Sequence, residues 1–265
     1  MKTIVTIILA IFLIGNLATA QDTLYIYKSG SVVTKRAISD IDSVIFYKAL
    51  NPVTVTDIDD NVYHTVTIGT QVWMVENLKT TKYNDGTSIP LVSDGTAWSN
   101  LATPGYCFYN NDAANKSTYG ALYNWFTVNT NKLAPTGWHV PTDAEWTTLE
   151  NYLIANGFNY DGTTTGNKIA KSMAATSIWS TSINTGTIGH DLTKNNSSGF
   201  TGFPGGFRTF NGAFGDVSYG GYWWSSTESS AGNAWIRILY YYDSNVYRLD
   251  NGEKYGFSVR CLQNY

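Results

Sequence analysis

The residues able to do chemistry are few, and most have an ordinary alternative duty. Hydrolysis of a glycosidic bond needs two opposed carboxylates. Glu76, Glu145 and Glu228 are the formal candidates, but any two acids among twenty can be named a pair. A zinc site needs three or four ligands from His, Cys or acidic side chains. His64, His139 and His190 show no metal-ligand spacing, and His139 reads as a hydrogen-bonded structural residue. No G-x-S-x-G nucleophile elbow is present. Asn110-Asn111-Asp112 and Asp243-Ser244-Asn245 gather the hard oxygen ligands that calcium prefers. Asn and Asp clusters also build turns by bonding their own backbone. Calcium therefore stays open and no other cofactor is implied. No catalytic residue is assigned.

The elements that must position these residues follow from pattern. Val53–Ile58 and Val62–Ile68 read as strands around the Asp59-Asp60-Asn61 turn, Val72–Leu78 as the next, and Tyr106–Tyr109 as a short one. Gly120–Val128 reads as a helix with Leu122, Trp125 and Phe126 on one side. The plainest helix starts at Thr142, where Thr142-Asp143-Ala144-Glu145 is a capping box. Trp146, Leu149 and Leu153 then recur at helical spacing as its buried face. Asn156-Gly157 ends it with residues that tolerate a left-handed backbone. Lys168–Ala175 reads as a short helix, and residues 178–221, rich in Gly, Ser, Thr and Asn, as mostly ordered loop. Strands return at Tyr222–Ser225, Ala234–Tyr242, Val246–Leu249 and Phe257–Leu262.

The chain begins with features of an export signal. Lys2 supplies a positive charge, Ile4–Leu17 is nearly all apolar, and Ala18-Thr19-Ala20 offers a small-residue exit. The apolar run falls short of the ~20 residues a membrane-spanning helix needs. A signal peptide over residues 1–20 is expected, with Gln21 as the mature N-terminus and no membrane span after cleavage. No cysteine follows the run, which argues against a lipoprotein. Charged residues make up only 14% and aromatic residues 15%, a balance that favours a loop-rich β structure. A net charge of −3 with scattered Lys and Arg excludes nucleic acid as a partner. Cys107 and Cys261 are the only cysteines. In an oxidising compartment they suit one disulfide; as free thiols they would pack as small hydrophobes.

Residues 21–50 read as a short β segment: Leu24–Tyr27, a Ser29-Gly30 turn, Ser31–Thr34, and a third strand at Val44–Tyr47. It resembles a segment found on exported proteins of Bacteroidota. Asn51-Pro52 marks the boundary, and residues 51–265 form the main domain.

Four motifs come in order along that domain: Val72-Trp73-Met74-Val75-Glu76-Asn77-Leu78, Gly137-Trp138-His139-Val140-Pro141-Thr142-Asp143-Ala144-Glu145-Trp146, Gly221-Tyr222-Trp223-Trp224-Ser225-Ser226-Thr227-Glu228 and Gly256-Phe257-Ser258-Val259-Arg260-Cys261. Together they resemble the Fibrobacter succinogenes major paralogous domain. The helix start at Pro141 and the terminal Gly-Phe-x-x-Arg are also similar to formylglycine-generating enzymes, which share a C-type-lectin-like fold. The resemblance implies an α+β fold with an antiparallel sheet, two main helices and long ordered loops. It implies no catalytic activity, since fold alone never supplies one. The close pair of thiols that formylglycine generation needs is missing, because Cys261 stands alone in the C-terminal region. The family commonly places a cysteine where Ala134 stands here, so the resemblance implies that Cys107 pairs with Cys261 instead.

The expected ligand surface comes from the strand over Ala234–Tyr242. Side chains alternate across a strand, so Trp235, Arg237, Leu239 and Tyr241 share one face and Ile236, Ile238, Tyr240 and Tyr242 the other. Periodicity does not choose between them, and both faces could be buried. The family motif Trp-x-Arg-x-Leu-x-Tyr places the odd set inward. The even set then faces outward, extended by Asp243, Asn245, Tyr247, Asp250 and Asn251. The segment is also similar to the variable C-terminal region of lectin-like proteins diversified by retroelements. The expectation is a non-catalytic binding module, secreted or on the surface of a Gram-negative bacterium, with a glycan or a surface protein as partner. A carbohydrate-active hydrolase and a purely structural matrix protein are the alternatives.

Overall fold

The computed structural model describes residues 23–28, 31–40 and 54–264. Cα proximity divides the chain into two compact units, Met1–Leu50 and Asn51–Tyr265. In the first unit β1 (Thr23–Lys28) pairs antiparallel with β2 (Ser31–Ala37), with a register shift between Ile26 and Tyr27. The third strand expected at Val44–Tyr47 and the signal segment lie outside the described residues.

The second unit opens with β3 (Val55–Thr56), β4 (Val62–Tyr63), β5 (Thr65–Ile68) and β6 (Gln71–Met74). Then come α1 (Gly95–Ser99), β7 (Tyr106–Cys107), α2 (Lys116–Tyr119), β8 (Leu122–Tyr123), α3 (Trp125–Val128) and β9 (Trp138–His139). The long helix α4 (Asp143–Ala155) and the single turn α5 (Ala170–Met173) follow. The chain finishes with β10 (Gly205–Arg208), β11 (Phe214–Val217), β12 (Gly220–Ser230), β13 (Asn233–Tyr240), β14 (Tyr247–Gly252) and β15 (Leu262–Gln263). The architecture is α+β, as expected, with sheet dominating.

One of the two main helices expected is found, and it is α4. Its capping box closes as the sequence implies: the Glu145 amide donates to Thr142 Oγ1 at 3.2 Å, and Glu145 Oε2 accepts from the Thr142 amide at 2.8 Å. Trp146, Leu149 and Leu153 are buried. The helix closes on Gly157, at φ +75°, with Phe158 N–H on Leu153 O and Gly157 N–H on Ile154 O. Those are the two bonds of a Schellman ending, which a glycine makes cheap. The helix expected over Gly120–Val128 is instead a bridge strand and one turn. Leu122 pairs with Cys107 across β7–β8, and Asn124 caps the turn through Thr127 N–H. The loop expected over 178–221 contains two strands, β10 and β11.

The larger sheet has the order β11-β10-β12-β13-β14. It is antiparallel except at Gly206↔Gly221, where β10 runs parallel to β12. Its centre divides two cores. Trp223 and Leu239 face the side of α4 with Trp73, Trp146 and Phe200, while Trp224, Ile236 and Ile238 face the other with Tyr123, Trp125 and Phe257. Burial of both faces is why β13 reads as a near-continuous apolar run rather than an alternation. A second sheet, β5-β6-β15-β9, joins the start of the domain to its end. Leu262 sits opposite both Trp73 and His139, and the Met74 amide donates to the Cys261 carbonyl at 3.0 Å.

Candidate functional site

Two of the acids and two of the histidines are committed to one another. Glu76 Oε2 accepts from the His64 amide at 2.8 Å, and its Oε1 lies 2.7 Å from His64 Nδ1. Glu145, beyond its capping duty, places Oε1 2.9 Å from His139 Nε2, while His139 Nδ1 lies 2.7 Å from Asn264 Oδ1. The Glu145 carboxylate raises the His139 pKa, against the opposing effect of burial. Burial alone would raise the Glu145 pKa, but bonds from His139 and Thr142 outweigh it and the net shift is downward. Glu228 is exposed on β12. Its field, after burial, helps to raise the pKa of Glu253.

The expected Cys107–Cys261 disulfide is corrected: both thiols are free and buried. Cys261 belongs to the main core with Val259 and Phe257, whereas Cys107 belongs to a separate cluster with Trp98, Tyr109 and Leu122. Burial pushes the Cys107 thiol up to about 11 and also raises that of Cys261, so both are small apolar fillers rather than nucleophiles. The two acidic clusters considered for calcium serve turns. Asp112 accepts from the Ala114 amide at 2.9 Å. Asp243 Oδ1 accepts from the Ser244 and Asn245 amides at 2.6 and 3.0 Å. Among the described residues no group of three His, Cys, Asp or Glu side chains could hold a metal ion.

The expected ligand surface is partly overturned. Ile236 and Ile238 are core residues, at 0 and 2% exposure, because the face assigned outward packs on a second core. The strand also ends at Tyr240 rather than Tyr242. Asp250 and Asn251 remain accessible but lie apart from the tyrosines. Asp250 sits opposite Trp235, on the α4 side of the sheet, and accepts from Ser229 Oγ at 2.9 Å. Asn251 sits opposite Ala234, at the far end of β14 from Tyr247.

Tyr240, Tyr242, Asp243, Asn245 and Tyr247 do come together, around the turn between β13 and β14. Tyr240 and Tyr242 stack at 5.2 Å with 14° between planes, and Tyr247 meets Tyr240 edge-on at 5.5 Å. Asn245 is exposed beside them. Sequence reasoning missed the rest of this surface. Tyr222 meets Tyr240 at 5.9 Å, Tyr241 meets Tyr242 at 5.3 Å, and Tyr219 meets Tyr241 at 5.3 Å. Asp216 comes from β11 and Tyr219 from the short link between β11 and β12, where Asp216 and Ser218 hold positive φ. A tyrosine between turn residues, in Gly215-Asp216-Val217-Ser218-Tyr219-Gly220, was the available signal.

The electrostatics of this surface are acidic. The Tyr222 hydroxyl donates to Asp216 and the Tyr247 hydroxyl to Asp243. The bond to Asp243 pushes the Tyr247 phenol up to about 12. Burial, then Tyr240, Asp243 and Asp216, raise that of Tyr242. All are neutral donors at physiological pH. Rings that present both a face and a hydroxyl, with carboxylates between them, can stack on one part of a ligand and hydrogen-bond another.

An α+β domain with a tyrosine-rich turn surface and buried, inert cysteines is the class these features define. The chain belongs to the Fibrobacter succinogenes major domain family, whose model matches residues 66–263. No curated protein and no solved structure matches it.

Proposed function

We propose that this is a non-catalytic, extracytoplasmic binding module that recognises a neutral glycan through Tyr219, Tyr240, Tyr242 and Tyr247. The observation that carries the reading is the connected run of tyrosine rings, with Tyr219 and Tyr242 exposed at 52 and 49%. Sugar C–H groups carry partial positive charge and suit the negative face of an aromatic ring. Asp216 and Asp243 offer carboxylate oxygens to sugar hydroxyls and would repel an anionic polymer. Tyrosine also gives large contact area at little cost in side-chain freedom. Commitment of Glu76 to His64 and of Glu145 to His139 favours binding over hydrolysis. The scaffold is read as C-type-lectin-like and the N-terminal segment as an export signal, placing the module outside the cell or on its surface. A protein ligand remains the alternative partner.

The test is capture on an array of neutral and acidic oligosaccharides by the wild-type protein and a Tyr219→Ser, Tyr242→Ser variant. The expected result is binding to neutral glycans by the wild type and at least about tenfold weaker capture by the variant, the scale of one or two lost contacts. Because both rings are half-exposed, the melting temperature should barely move. Undiminished capture by a folded variant would sink the assignment.

A further inference from the structure

A cavity of about 400 Å³ lies between the end of α4, the Phe158–Tyr160 turn, α5 and the loop through Thr185, His190 and Ser197. Its size falls in the range of small-ligand sites. Three of its lining side chains are nitrogen bases, Lys171, His190 and Lys194, and none is a carboxylate, in a chain whose net charge is −3.

Lys171 is the decisive group. It is only 6% exposed and forms no salt bridge to a carboxylate among the described residues. Its ammonium is held by the carbonyls of Thr187, Ile188, His190 and Asp191 and by Asn195 Oδ1 at 2.7 Å. Those dipoles satisfy its hydrogens, and the Asp191 carboxylate reaches it through its field without a direct ion pair. A buried charge is normally paired, and an unpaired one projects its field into the neighbouring cavity. Lys194 is largely exposed and, among the described residues, meets only Asp191, at 3.4 Å, so its ammonium can turn to a ligand. The His190 imidazole and the Thr185 and Ser197 hydroxyls have no hydrogen-bond partner among the described residues, while Phe158 and Tyr160 supply ring surface.

We propose that this cavity binds an acidic monosaccharide unit of the uronate class. The carboxylate faces Lys194 and His190 within the field of Lys171, and the hydroxylated ring lies against Tyr160 with Thr185 and Ser197 in reach. The site does not depend on the tyrosine surface: its probe is a free monosaccharide, and its variants leave Tyr219 and Tyr242 untouched. The two are neighbours in the chain's backbone network, because the Ile188 and Gly189 amides, just before His190, donate to the carbonyls of Asp243 and Tyr241.

The experiment is calorimetric titration of the purified protein with glucuronate and galacturonate, with glucose, acetate and inorganic phosphate as separate controls. Uronate should bind at least about tenfold tighter than any control, the scale of one charge-assisted hydrogen bond. Lys194→Gln and His190→Gln should each weaken it by a similar factor at unchanged melting temperature. Absence of uronate binding, equal binding of glucose, acetate or phosphate, or indifference to Lys194→Gln would each overturn the proposal.

Discussion

Arg208, Arg237 and Arg260 are among the largest fully buried side chains, and they solve the problem of burying a charge in two ways. Arg237 uses carboxylates, meeting Asp143 at 2.8 Å and also Glu150. Arg208 and Arg260 use carbonyls and rings. Arg208 donates to Val92, Ser93 and Gly212 and lies over Trp98 and Phe214. Arg260 donates to Phe200, Thr201 and Asn77 and lies 4.2 Å over the Phe200 ring, with burial drawing its pKa down to about 9. A planar fork makes such spread-out donation possible, and an ammonium would not replace it. The titrating residue to watch is His139, whose ring nitrogens both face side-chain oxygens. Its folded pKa is raised above the ordinary 6.5, chiefly by Glu145. Its stabilising contribution is therefore complete below about 6.5 and is lost as pH rises through the raised value. A His139→Gln variant should show a flatter fall of melting temperature with pH above that point, measured by scanning calorimetry; an unchanged slope would refute the coupling. At this scale the sequence was partly legible. The duty of Glu145 follows from its position three residues after Thr142. The partner of His139 at Asn264 does not, because only the folded sheet brings residue 264 beside it.

Among the elements, α4 is the one that local rules specify fully, from capping box to glycine ending. Removing the Thr142 hydroxyl leaves the Glu145 amide unsatisfied and takes one hydrogen bond from the Glu145 carboxylate. A Thr142→Ala variant should lose about 1 kcal/mol of unfolding free energy, within the usual range for such caps, as measured by urea titration with an unchanged m-value. No loss would mean that packing of Trp146, Leu149 and Leu153 alone holds the helix start. The pattern over Gly120–Val128 misled because Leu122, Trp125 and Phe126 have helical spacing while a competing demand wins locally. Tyr123 exchanges backbone bonds with Phe257, which holds that stretch extended. The even face of β13 misled for a different reason. A strand with a core on each side carries no alternation to read, and a family motif that fixes which set faces α4 says nothing about what covers the other.

For the whole molecule, the two cores on either side of β12 and β13 remove any need for a covalent staple. With Cys107 and Cys261 buried in different clusters, the melting temperature should be the same with and without dithiothreitol. A fall of several degrees under reductant would show that a bridge forms after all, since closing so long a loop is worth on the order of 4 kcal/mol in the chain-entropy model. The predominance of sheet was legible from composition, and the α+β class and the main domain from the resemblance its four motifs carry. The tyrosine surface was legible only where its residues are neighbours in sequence, since Tyr222 reaches it from the adjacent strand β12 and Tyr219 from the link before that strand. One further consequence lies in time rather than space. The strand Gln71–Met74 waits for Leu262, and the Met74 amide for the carbonyl of Cys261, near the other end of the domain. Synthesis proceeds at about 5–20 residues per second, so the edge of that strand turned away from β5 stays unpaired for on the order of ten seconds or more after it emerges. Such distant pairing also makes folding slow once the chain is complete. A domain whose sheet closes only when Leu262 arrives folds after most of it has been made rather than piece by piece, so any process that acts on an unfolded chain has that whole interval in which to act.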